Sequence, residues 1–155
     1  MKVADGFWCG KPGYDVKYAE QIYEVTADER SVRVLATTQW IQNRGMTLGG
    51  PVLEIYYTST MENTIKVTVE HYKGISAKRP GFELNENPDF KPQVKDLQNR
   101  FELISGHTRV VVPKQGGWNI RYYYDNELLT QNGWRTTSYI TEERWRTELR
   151  MEEQR

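Results

Sequence analysis

Along residues 51–74 apolar and polar side chains alternate almost without interruption. Ile65, Val67, Val69 and His71 point one way, and Lys66, Thr68, Glu70 and Tyr72 the other. That period of two is the mark of a strand with one wet and one buried face. Leu53, Ile55 and Tyr57 alternate with Val52, Glu54 and Tyr56 in the same way. The short polar link Thr60-Met61-Glu62-Asn63 joins the two runs and suits a hairpin loop. The pattern predicts that this hairpin is the central antiparallel pair of a β-sandwich.

Short β-rich runs recur over the rest of the chain. Residues 18–26 and 31–37 read as a second hairpin across Ala27-Asp28-Glu29-Arg30, and Phe7-Trp8-Cys9 as a brief strand between turns. Residues 94–97, 101–105 and 108–112 read as three strands, followed by 118–125 and 127–130 across an Asp125-Asn126 turn. Turn signals every eight to twelve residues predict an all-β fold, a sandwich or barrel. Between residues 38 and 50 the alternation lapses, yet Trp40, Ile41, Met46 and Leu48 remain. This stretch reads as an ordered excursion between sheets, either a crossover packing Trp40 and Leu48 into the core or a functional loop. Residues 75–93, with three prolines, form the longest irregular piece, and its Lys78-Arg79 pair reads as solvated surface. Residues 142–155 fit either a charged helix with a thin apolar stripe or a strand.

Composition narrows the function classes. Hydrophobic residues make up 37% of 155 residues, enough with twelve glycines for one domain with a real core. Lys+Arg and Asp+Glu are 21 each, so the chain lacks the cationic field that nucleic acid or anionic lipid requires. One cysteine and two histidines exclude an internal disulfide and a zinc cluster, and no metal or other cofactor is expected. With no apolar leader and no long hydrophobic run, the expected address is cytoplasmic and no membrane partner is expected.

Candidate chemistry is sparse. Asp96 with Glu102, or Glu24 with Glu54, are conceivable cross-strand carboxylate pairs, but acids on wet strand faces usually serve solubility. His71 reads as a buried imidazole, His107 as a turn residue and Cys9 as a small buried side chain; none lies in a nucleophile motif. Five Trp and ten Tyr offer flat rings on which the C–H faces of sugars stack. Tyr123, Trp134 and Tyr139 are the candidate sugar platform, although sandwich cores use aromatics heavily as well.

Several segments carry a family resemblance. Met1, Lys2, Asp5, Gly6, Phe7, Trp8, Pro12 and Gly13 resemble the opening of bacterial α-xylosidases of glycoside hydrolase family 31. Arg44-Gly45-Met46-Thr47-Leu48-Gly49-Gly50-Pro51 is similar to that family's Arg-Gly-x-Thr-Leu-x-x-Pro segment. Residues 65–74 resemble its Ile-x-Val-x-aliphatic-x-His-aromatic-x-Gly strand. Trp118 to Tyr122 with Asp125-Asn126-Glu127 resemble a later hairpin.

The resemblance implies an antiparallel β-sandwich of the supersandwich type shared with galactose mutarotases, standing before a catalytic (β/α)8 barrel. In the family the barrel supplies both aspartates for retaining hydrolysis, one as nucleophile and one as general acid/base. No Lys-x-Asp-Phe-Gly-like strand end occurs in this sequence. Residues 1–155 are therefore expected to be the N-terminal domain of a longer glycosidase, with no catalytic residue of their own. The resemblance makes residues 145–151 a strand. It implies as partners the domain's own barrel, α-linked xylosides or glucosides through the parent enzyme, and a second copy in a homo-oligomer. It also makes the excursion a loop at the active-site mouth, with Arg44, Met46 and Thr47 as candidate lining. The alternative expectation is a free-standing carbohydrate-binding module.

Overall fold

The computed structural model describes residues 11–70, 86–87 and 89–142. The expectations for Phe7-Trp8-Cys9, His71, Lys78-Arg79 and residues 145–151 lie outside them. Twelve strands follow in order: β1 Tyr14–Tyr18, β2 Gln21–Ala27, β3 Ser31–Thr37, β4 Val52–Thr58, β5 Lys66–Glu70, β6 Gln93–Asp96, β7 Arg100–Ser105, β8 Thr108–Pro113, β9 Gly116–Gly117, β10 Ile120–Tyr124, β11 Glu127–Asn132 and β12 Ser138–Glu142. One five-stranded sheet has the order β5-β4-β3-β2-β9 and a second the order β11-β10-β8-β7-β6; β1 and β12 form a separate pair. Every pairing is antiparallel. The fold is an antiparallel β-sandwich.

Alternation along each strand sends one set of side chains inward. Ile22, Val32, Val34, Ala36, Leu53, Ile55 and Tyr57 from the first sheet meet Phe101, Leu103, Val110, Val112 and Ile120 from the second. All are buried, most of them fully. Each buried Val or Leu contributes on the order of 1.5–3 kcal/mol relative to exposure, so this seam is the main source of stability.

The turns have local causes. Between β2 and β3 the Asp28 carboxylate accepts from the backbone N–H of Arg30 and of Ser31, both at 2.7 Å, and from Ser31 Oγ at 2.8 Å. The N–H of Arg30 chiefly holds the Asp28 carboxyl below its ordinary value, with Ser31 adding to it against the effect of burial. Between β10 and β11, Asp125 and Asn126 both take positive φ, a conformation to which their short polar side chains are suited.

Three expectations change. The β4–β5 hairpin is not central: among the described strands β5 stands at the edge and β3 in the middle. The register sets Val67 opposite Tyr57 and Val69 opposite Ile55, so these valines share the inward face, yet they are 41% and 45% exposed. Alternation reports which face a side chain takes and carries no information on whether anything covers it. Second, the 38–50 excursion joins neighbouring strands of one sheet rather than two sheets. Third, the run read as one strand over 18–26 breaks at Ala19-Glu20. There Ala19 N–H donates to Thr137 O and Glu20 N–H to Thr37 O, which carries the chain from the small pair into the first sheet.

Candidate functional site: the 38–51 loop and its surroundings

After β3 the chain arches away, makes a 3-10 turn over Arg44–Leu48 and returns into β4. None of that turn is buried; Leu48 is 91% and Trp40 48% exposed. The crossover reading, in which both enter the core, is excluded. Polar contacts along the loop fix its shape instead. Asn43 starts the turn by accepting from Gly45 N–H at 3.0 Å, and Thr47 Oγ1 donates to Arg44 O at 2.7 Å. Gln39 Nε2 donates to Met46 O at 2.8 Å, and Gln21 Oε1 accepts from Ile41 N–H at 2.7 Å. Thr38 Oγ1 closes the base by donating to Pro51 O at 3.1 Å. A Cβ on Gly49 would stand 2.7 Å from Gln39 Nε2, so the missing side chain there makes room for the amide that ties the loop.

Under this loop lies an apolar groove of about 210 Å³ on the outer face of the first sheet. Tyr23, Leu35 and Val52 line it from the sheet, and Ile41, Met46 and Thr47 from the loop. Arg44 is exposed and is not among the groove's walls. Sequence reasoning found the loop residues but missed the sheet floor. Val52 has the outward parity of Glu54 and Tyr56, but one apolar residue at an outward position is ordinary and did not mark the floor.

The structure places Tyr123 and Trp134 apart. Tyr123 sits beside the Asp125-Asn126 turn, in a depression with His107 and Arg109, and the Arg109 guanidinium lies over its ring at 4.7 Å. Trp134 follows β11 at the other end of that hairpin and faces a different cleft, with Trp40 and Trp118. Tyr139 packs against the core.

The sequence has a known counterpart. No family model matches the chain. It aligns with alpha-xylosidase XylQ of Lactiplantibacillus pentosus at 27% identity over 133 residues, or 85% of this chain. The likeness is to part of a glycosidase. The chain spans 17% of the length of that relative.

The carboxylates considered as acid/base pairs are matched by arginines and lysine instead. Arg33 lies between Glu24, at 3.9 Å, and Glu54, whose carboxylate it contacts directly through Nε. Tyr56 also donates to Glu54, at 2.5 Å. The hydrogen bond to Glu54 raises the pKa of both Arg33 and Tyr56. Asp96 takes Lys114 Nζ at 2.5 Å. Glu102 accepts from Arg100 Nε at 2.8 Å and from Arg109 at 3.4 Å. Burial pushes the Glu102 carboxyl up, but the two arginines outweigh it and hold it below its ordinary value. A general acid for glycoside cleavage needs the opposite shift. Among the described residues no group of three or more His, Cys, Asp or Glu converges as metal ligands, and no helix is long and apolar enough to cross a membrane.

Proposed function

We propose that this chain is the non-catalytic N-terminal β-sandwich of a retaining α-glycosidase, α-xylosidase-like and of glycoside hydrolase family 31. The observation that carries the reading is the alignment, which takes in most of this chain and a small share of an α-xylosidase. The pairing of Glu24, Glu54 and Glu102 with arginines and of Asp96 with Lys114 supports it, since it gives these carboxylates structural roles. The domain supports a (β/α)8 barrel that supplies the reacting carboxylates, acts in the cytoplasm on α-linked xylosides or glucosides, and associates through further copies of the parent enzyme. Its 40–50 loop stands at the mouth of the barrel, where Arg44 and Thr47, both exposed, and Met46, at the groove, face the leaving group.

The test uses the full product of the gene. Arg44→Ala and Thr47→Ala are expected to raise KM for an aryl α-xyloside several-fold while kcat changes little, because uniform binding is lost and the chemistry stays in the barrel. Unchanged KM in both variants removes the loop from the mouth. A fall in kcat without a change in KM assigns it a part in the chemical step and overturns the scaffold reading.

A further inference from the structure

Of the asparagines in the chain, only Asn132 precedes a glycine. The pairing matters because the backbone nitrogen that follows an asparagine can attack its side-chain amide, and glycine, with no Cβ, leaves that nitrogen unhindered. The fold puts the pair where strand gives way to turn. Asn132 is the last residue of β11, set opposite Ile120, and β11 stands at the edge of its sheet among the described strands. The chain then turns over residues 133–136, where Gly133 O accepts from Thr136 N–H at 3.4 Å and from Thr136 Oγ1 at 2.6 Å. Trp134, inside that turn, is 61% exposed. A Cβ on Gly133 would meet nothing within 4 Å, so the space beside its backbone is open.

The amide that would leave has a partner. Asn132 Nδ2 donates to the Tyr122 hydroxyl at 3.3 Å. Tyr122 stands on β10 and packs against the core. Burial chiefly raises the pKa of its phenol, against a smaller opposing effect of Tyr57, so the hydroxyl keeps its proton at neutral pH. An amide nitrogen has no basic lone pair. Once its carbon becomes tetrahedral, however, the nitrogen is an amine, and an amine accepts a proton. The same contact then runs in reverse, with the Tyr122 O–H donating to the departing nitrogen.

We propose that Asn132 is a site of self-directed modification, in which the Gly133 nitrogen displaces the Asn132 side-chain amide as ammonia. The Gly133 N–H gives its proton to solvent base and its nitrogen bonds to Asn132 Cγ. The Cγ–Nδ2 bond breaks as Tyr122 O–H protonates the leaving nitrogen, and Tyr122 regains a proton from water. Water then opens the five-membered imide at either carbonyl and leaves aspartate or isoaspartate, so the sequence balances with water alone. Aspartate puts a carboxylate beside the Tyr122 hydroxyl. Isoaspartate also adds a methylene to the backbone where Asn132 meets Ile120. Trp134 lies two residues further on and lines the cleft with Trp40 and Trp118, so the change reaches that cleft.

The experiment incubates the folded chain in mildly alkaline buffer for days and follows every asparagine-containing peptide by mass spectrometry. The Asn132 peptide is expected to gain about 1 Da before any other, with isoaspartate identified by fragmentation. The indole N–H resonance of Trp134 should split into old and new signals in the same proportion. Gly133→Ala, which neither the open space nor the backbone angle opposes, slows the gain several-fold or more. Tyr122→Phe slows it in the folded chain and leaves it unchanged in urea. A tyrosine with a merely structural role would give the opposite sign, since its loss would loosen the turn and speed the reaction. The proposal is overturned if another asparagine reacts first, if Gly133→Ala reacts as fast as wild type, or if Tyr122→Phe reacts as fast or faster in the folded chain. No glycoside enters the measurement, so the result is separate from the fate of the glycosidase reading.

Discussion

Replacing Glu102 with Gln separates a structural carboxylate from a chemical one. Glu102 lies on β7 on the outer side of the second sheet, is 4% exposed, and is enclosed by Arg100 and Arg109. Gln keeps the shape and removes the charge. The bond to Arg100 is short and that to Arg109 long, so together they amount to about 2 kcal/mol, within the range of hydrogen bonds to charged groups. For a domain of this size that is a fall in melting temperature of about 4–8 °C. The pH dependence follows from the direction of the shift. A carboxyl whose folded pKa is depressed adds stability above its unfolded value, near 4.5, and that stability is lost as pH falls through the folded value. Urea titrations followed by circular dichroism should therefore show the Gln variant weaker at pH 7 and converging with wild type in acid. Equal stability at pH 7, or a deficit that persists undiminished in acid, would refute the charge-based account. Arg109 also covers Tyr123, so the same variant should loosen that ring, readable as a shift of its aromatic resonances.

Other outcomes follow from the same geometry. Leu103→Ala, at a fully buried position of the seam, should cost about 2–5 kcal/mol in a urea titration. Gly106→Ala should cost about 2–3 kcal/mol by the same measurement, because φ is +57 and a Cβ would stand 2.3 Å from Asn63 Oδ1, which accepts from His107 N–H. His107 Nδ1 lies 2.5 Å from Asp125 Oδ1, and that hydrogen bond raises the imidazole pKa. Its contribution is complete below the ordinary value near 6.5 and fades as pH rises through the folded one. An NMR titration of the ring protons should place the midpoint above that of a model histidine, and Asp125→Asn should lower it.

The sandwich was legible because β strands with one covered face write their parity into the sequence, as at Val32, Val34 and Ala36 or Leu103 and Ser105. Strand order was not legible. Val67 and Val69 alternate as well as any central pair, and yet β5 stands at the edge of its sheet among the described strands. The two-residue strand at Gly116–Gly117 was invisible, since glycines carry no parity and its pairing with β2 is a property of the backbone. At the candidate sites, the 38–51 loop stood out because large apolar residues persist where alternation stops. The tryptophan cleft did not, because Trp40, Trp118 and Trp134 are far apart in sequence and meet only through the links at Ala19 and Glu20.

The proposed function places none of the reacting acids of an α-glycosidase in residues 1–155. The direct measurement is turnover of an aryl α-xyloside by purified residues 1–155 beside the full product of the gene. The account predicts turnover by the full product alone. Hydrolysis by residues 1–155 that disappears when one of their own carboxylates is changed would contradict it.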